Sequence, residues 1–188
     1  MRAVELLMNE HRTIEGVLDA LETAATALDQ GRTVRPGFFV EAADFISGFA
    51  DGCHHHKEEG VLFEAIVASG MPATEGPVPV MLHEHEQARA LTRGMRHAAR
   101  RLEEGDMTAR HPVVTNALGY VALLRDHIAK EDEVLFPMAD QMLSAALHDE
   151  VLKGFDRIEQ EDMKAGTHDG FLALARRLEK EAALISAR

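Results

Sequence analysis

His54-His55-His56-Lys57-Glu58-Glu59-Gly60-Val61-Leu62-Phe63 returns 73 residues later as His127-Ile128-Ala129-Lys130-Glu131-Asp132-Glu133-Val134-Leu135-Phe136. His, Lys, Glu, Val, Leu and Phe keep their places in both copies. A shorter match, Glu10-His11 with Glu84-His85, has nearly the same offset of 74 residues. The chain up to about residue 143 therefore reads as two copies of one helical hairpin. A repeat that preserves His and Glu, and not apolar residues alone, is hard to explain by packing.

Around these segments apolar residues recur with a helical period. A first helix carries Val4, Leu7, Met8, Ile14, Leu18, Leu21 and Leu28 and stops near Gln30-Gly31. A second runs from about Phe38 to Ser69, with Val40, Ala43, Ser47, Ala50, Val61, Leu62 and Ala65 on one stripe. A third spans about Val78 to Glu104 and ends at Gly105-Asp106. A fourth begins near Pro112 and reaches about Phe136, where Pro137 is expected to interrupt it. Two shorter amphipathic segments follow, Ser144 to Lys164 and Thr167 to Ser186, separated by Gly166 with Thr167 as an N-cap. Long helices with short connections imply antiparallel neighbours. The expected fold is all-α: an up-down antiparallel four-helix bundle over residues 1–143, with two additional C-terminal helices, 144–188, packed on it.

His54 and Glu58 share one face of an α-helix, roughly 40° apart, and His127 and Glu131 do the same. Both pairs fall on the apolar stripe of their helix. His54 lies between Ala43, Ser47, Ala50 and Val61, Leu62, Ala65. His127 lies between Val113, Ala117, Tyr120, Leu124 and Val134, Leu135, Met138. His11 and His85 are inward positions on the first and third helices. A carboxylate in a core is very unfavourable unless it is paired or bound to metal. Two carboxylates and four imidazoles at pseudo-symmetric positions are resolved by two cations. The expected metal ligands are His11, His54, Glu58, His85, His127 and Glu131, a nitrogen–oxygen set that suits iron or manganese and, less exclusively, zinc.

Most other candidates read as structural. His55 and His56, about 100° and 200° round the helix from His54, fall on its flanks, with His55 the better placed to support a ligand. His83 faces away from His85, and His97, His111 and His148 read as exposed. Cys53 reads as a buried thiol, and Lys57 and Lys130 as reaching solvent. Glu15 and Arg89 occupy matching places one turn after His11 and His85. Two roles are open: a pair across the bundle end, or Glu15 as an acceptor for a ligand histidine. Tyr120 reads as a core aromatic, with lining a pocket as its second role.

Glu10-His11, His54-x-x-x-Glu58, Glu84-His85 and His127-x-x-x-Glu131, with Leu-Phe after each His-Glu pair, resemble the hemerythrin family in its bacterial branch of HHE cation-binding proteins. The resemblance covers roughly residues 1–143. It implies a four-helix bundle around two non-haem iron ions (Fe2+/Fe3+, oxo-bridged when oxidised), with His11, His54, His85 and His127 as terminal ligands and Glu58 and Glu131 as bridges. It also implies oxygen, nitric oxide or peroxide as the small partner. The oxygen carriers of that family place two histidines one turn apart on the third helix. Here Met81 precedes and Arg89 follows His85 by one turn, so the resemblance is closer to members linked to sensing and stress repair.

Composition narrows the rest. A net charge of −12 would repel a phosphate backbone, so no nucleic-acid partner is expected. Cys53 is the single cysteine, so no intrachain disulfide can form, which suits a reducing compartment. No stretch approaches a membrane span and the N-terminus has no apolar signal core, so a cytoplasmic protein without a membrane partner is expected. A ferritin-like oxidase needs Glu-x-x-His on two helices, and no histidine here has Glu three residues before it. The remaining alternative is a zinc-binding or structural helical interaction module without redox chemistry, since zinc is not redox-active.

Overall fold

The computed structural model describes residues 3–161 and 167–187. Among them the chain is helical with short connections and no strand. Helix α1 spans Ala3–Asp29. Helix α2, residues 36–68, is α-helical over Pro36–Phe45, widens to π turns over Ile46–His55 and Glu58–Leu62, and ends α-helical over Phe63–Ala68. Helix α3 is Pro77–Glu103, and a 3-10 turn, Met107–Ala109, leads into α4. Helix α4, residues 110–142, is α over Arg110–Lys130, π over Glu131–Leu135 and α over Phe136–Met142. Helices α5 (Ala145–Glu161) and α6 (Thr167–Ser186) complete the chain. The break assigned to Gly166 lies outside the described residues.

The stops are where the glycines put them. Gly31 and Gly105 take left-handed φ values of +87° and +91°, which a residue without Cβ adopts without strain. Gly31 donates to the Leu28 carbonyl and Arg32 to that of Ala27; Gly105 and Asp106 repeat the pattern to Leu102 and Arg101. These crossed bonds close the last carbonyls of α1 and α3. Pro137 does not end α4. It falls where the π turn returns to α geometry, just after Phe136 donates to the Glu131 carbonyl five residues back. The ladder is already opened there, so the missing N–H is tolerated.

The π turns also shift the apolar stripe. Ser47 is exposed, while Phe45, Ile46 and Phe49 are buried. Val134 and Met138 point outward at 50% and 40% exposure, and Leu135, Phe136 and Ala139 take the core face instead. Leu82 also lies outside the core.

Helix α1 packs on α4 and α6, α3 on α4, and α2 on α3. Helix α5 lies against α1 and the second π turn of α2. The apolar interior is in two parts. The larger includes Leu18, Leu21, Phe38, Phe45, Met95, Val113 and Leu124, and α6 joins it through Leu178. The smaller includes Leu7, Leu62, Phe63, Met81, Leu135 and Phe136, and α5 joins it through Phe155. His11, His54, Glu58, His85 and Glu131 fall in the gap between the two parts along their helices, and His127 lies beside it. The fold thus carries one polar layer between two apolar ones.

The seating of α6 depends on Gly48. A Cβ there would stand 1.9 Å from Cζ of Phe171, whose ring meets Phe45 edge-on at 6.5 Å. Gly48→Ala is expected to overpack this contact by about 1–3 kcal/mol and lower the melting temperature by roughly 2–12 °C. Gly170 on α6 has nothing within 4 Å of the added atom, so Gly170→Ala should raise it by about 1–4 °C. Thermal melts of the two variants that move together would contradict this packing.

Candidate metal centre

The structure brings His11 from α1, His54 and Glu58 from α2, His85 from α3, and His127 and Glu131 from α4 into one buried layer, each at 0–1% exposure. Their ligand atoms form two overlapping groups: His11, His54, Glu58 and Glu131, and His55, Glu58, His85 and His127. The imidazoles of His11 and His54 lie 4.6 Å apart and those of His85 and His127 4.8 Å apart, centroid to centroid. The glutamates stand between the two ring pairs. Glu58 is 3.3 Å from Nε2 of His54 and 3.5 Å from Nε2 of His85. Glu131 is 3.2 Å from Nε2 of His11 and 3.4 Å from Nε2 of His127. Each carboxylate therefore reaches one histidine of each hairpin.

Both glutamates sit at the start of a π turn, and the N–H of Phe63 and of Phe136 bonds five residues back to their carbonyls. Such turns collect at functional sites because they re-aim a side chain. The phenyl rings that follow close the layer: Phe136 stacks on His11 at 5.4 Å and Phe63 on His85 at 6.1 Å.

Every one of these four histidines has its outer nitrogen held. Nδ1 of His54 meets Glu10 at 2.9 Å, and Nδ1 of His127 meets Glu84 at 2.9 Å. Nδ1 of His11 meets Asp132 at 2.7 Å, and Nδ1 of His85 meets Glu59 at 2.7 Å. Each carboxylate has its own cation: Lys57 for Glu10, Lys130 for Glu84, Arg12 for Asp132 and Arg89 for Glu59. A carboxylate on Nδ1 fixes the proton there and leaves Nε2 as an acceptor, the orientation a metal requires. Nε2 of His11 and of His54, and both carboxylate oxygens of Glu58 and Glu131, have no hydrogen-bond partner among the described residues. Nε2 of His85 and of His127 face one another at 3.1 Å; with both outer nitrogens protonated, two lone pairs point at the same place. A buried polar atom left unmet costs about 1–3 kcal/mol. This many on one layer fit a cation and little else.

The electrostatics agree. Burial, with the charge of Glu58 adding, pushes the Glu131 carboxyl up to about 8. Burial also raises Glu58, helped by the charges of Glu10, Glu59 and Asp132. Burial and neighbouring imidazoles push His55 and His127 well below the usual histidine range, and burial lowers His85 despite Glu59. Neutral imidazoles and carboxylates that resist ionisation without a counter-charge are what a metal-free ligand set should show.

A family model described as the hemerythrin HHE cation binding domain matches residues 2–139. The chain belongs to this family. Two further matches are uncharacterized proteins of Mycobacterium tuberculosis and Mycobacterium bovis. Each is 24% identical over 154 residues, covering 82% of this chain and 60% of its own length. The match thus spans about 60% of these relatives' length. No solved structure matches it.

His55 is not a flank residue. It is buried and stacked on His85 at 3.8 Å, a fifth imidazole in the layer, supplied by α2 and not by α3. The π geometry over Ile46–His55 explains this, since a wider turn advances less per residue and keeps His55 nearer the face of His54. Lys57 does not reach solvent. It is fully buried between Glu10 and Glu159 of α5, and although burial opposes its charge, these carboxylates raise its pKa. Glu10, Cys53 and Glu159 also cluster, but the Lys57 ammonium already supplies the positive charge there. Burial pushes the Cys53 thiol up to about 11, as for an unreactive core residue. Glu15 pairs with Arg12 and Arg89 with Asp51, Glu59 and Glu86, so Glu15 and Arg89 do not pair with each other. His148 is buried to 9% exposure and lies 3.4 Å from Asp140. His83, His97 and His111 are exposed.

The raised carboxyl pKa values set a pH dependence. The metal-free folded state keeps protons on Glu58 and Glu131 that the unfolded chain releases above its usual value of 4.5. Its stability should therefore fall as pH rises from there to about 8. The depressed histidines act on the acid side, where the unfolded chain takes up protons below about 6.5 and the fold does not. A metal bound by both carboxylates would hold them as anions and remove the alkaline loss. The gap in melting temperature between metal-loaded and metal-free protein should widen from about pH 6.5 to 8. Melts across that range that show a constant gap would contradict it.

Proposed function

We propose that this chain is a non-haem di-iron protein that binds or reacts with oxygen, nitric oxide or peroxide, in sensing, storage or stress protection. In this reading residues 1–143 are an up-down antiparallel four-helix bundle, with 144–188 as a helical extension packed on it. The ions are held by His11, His54, Glu58, His85, His127 and Glu131, with His55 as a further donor. The observation that carries the reading is the convergence of unmet Nε2 and carboxylate oxygens in a buried layer between two apolar clusters.

Iron bound there would supply one-electron redox change and coordination positions for a small ligand. The chain's own contribution is restraint. Glu10, Glu59, Glu84 and Asp132 fix each ring's tautomer and direction. Phe63 and Phe136 keep the layer dry. Glu58 and Glu131, each set against a histidine of both hairpins, tie the two halves of any paired centre together. The single buried Cys53 goes with a cytoplasmic setting. Among the described residues no helix is long and apolar enough to cross a membrane.

The test is optical. Ferrous protein prepared without oxygen is exposed separately to nitric oxide, oxygen and peroxide, and its visible absorption is followed. The reading expects new absorption with at least nitric oxide and oxygen. It also expects His55→Ala to change the rate of the oxygen response while retaining the helical circular dichroism. Protein that holds zinc as firmly as iron and responds to none of the three would favour the interaction module over redox chemistry.

A further inference from the structure

Beside the metal layer, between α2 and α3, lies a cavity of about 120 Å³. Its outer end is at the exposed Ser47 and Arg93, and its inner end at the buried His55 and Tyr120. Of its polar lining, His55 belongs to the metal layer, and Asp51 and Arg89, 2.7 Å apart, hold His55 and Glu59.

Two lining groups hold buried polar atoms without a partner among the described residues, and a third, the exposed Arg93, has no carboxylate beside it. Tyr120 is fully buried, and its hydroxyl has no hydrogen-bond partner among the described residues. That hydroxyl feels the charge of Asp51, which lines the same cavity. Arg96 turns one terminal nitrogen, Nη2, to Asp44 and Ser47, at 2.9 and 3.2 Å, while its buried Nε has no partner. Arg93 has no carboxylate partner among the described residues. Arg89, by contrast, is saturated by Asp51, Glu59 and Glu86. All three groups can donate, and a guanidinium can only donate. A guest must therefore offer acceptors, and an uncompensated Arg93 favours one that is negative. A planar two-oxygen group matches the guanidinium fork. The volume holds a few heavy atoms, well short of the roughly 300–1,000 Å³ of sites for larger ligands.

We propose that this cavity is a binding site for a small planar oxyanion of the formate, bicarbonate or nitrite class, held by Arg93, Arg96 and Tyr120 against the outer face of His55. It stands apart from the proposed di-iron reading, because its donors are not metal ligands. An anion seated there adjoins Arg89, which holds Glu59 and through it Nδ1 of His85. It also adjoins Asp51, which lies 3.4 Å from Nδ1 of His55. The site could thus report anion occupancy to two imidazoles of the layer.

The chain has one tyrosine and no tryptophan, so Tyr120 fluorescence reports this cavity alone. Full-length protein, metal-free and zinc-loaded, is titrated with sodium formate at constant ionic strength set with sodium perchlorate. The proposal expects a saturable change in Tyr120 emission in both forms. It expects Arg93→Gln, an exposed substitution, to raise the formate dissociation constant about tenfold, and Arg93→Lys to restore part of it. Emission that never saturates would leave only water in the cavity and overturn the proposal. So would a response confined to zinc-loaded protein and unchanged by Arg93→Gln, which would place the anion on the metal.

Discussion

Two fully buried carboxylates govern this structure. Glu58 and Glu131 are fully buried, and neither has a hydrogen-bond partner for either oxygen among the described residues. Ionised carboxylates so placed are prohibitive unless positive charge joins them. The protein's own cations are committed elsewhere: Lys57, Lys130, Arg12 and Arg89 each neutralise one of the carboxylates that hold the outer nitrogens of the histidines. This outer ring balances itself in pairs. What remains uncompensated is the inner pair, which without a metal ion keeps its protons.

The rest of the fold can be understood as the means of holding that layer. Four long helices must each bring a histidine to the same level, α2 bringing two, and apolar clusters above and below enclose that level. The π turns at Glu58 and Glu131 accommodate the carboxylates within otherwise regular helices. The last two helices are more than an appendage. Helix α5 sends Glu159 to Lys57, so the ring of His54 is held through Glu10 and Lys57 by a residue about a hundred positions away. Helix α6 seals the other end through Phe171 and Leu178.

Much of this was legible in the sequence because its two strongest signals are chemical. The 73-residue echo of His54 and Glu58 in His127 and Glu131, and the single inward histidines His11 and His85, name the inner layer without coordinates. Positions that depend on helical phase were less legible. Ideal α-helical angles put His55 on a flank and Val134 in the core, and the π turns reverse both. An i→i+5 turn has no composition signature of its own; the hint was the second consecutive histidine at His55. Lys57 was misplaced because its partner Glu159 is remote in sequence. The outer carboxylates Glu59 and Asp132 stood in plain sight at matching places of the repeat, yet an acid beside another acid reads as solvated charge until a third helix is seen to bring His85 or His11 to it.

The central claim, that the uncompensated pair Glu58 and Glu131 is balanced by two metal ions, is tested most directly by counting them. Protein stripped with chelator, reloaded anaerobically with ferrous iron and desalted would be assayed for iron by elemental analysis against protein concentration from amino-acid analysis. The account expects two ions per chain in the parent protein and loss of the pair in Glu58→Ala and Glu131→Ala. One tightly held ion or fewer in the correctly folded parent chain would contradict it.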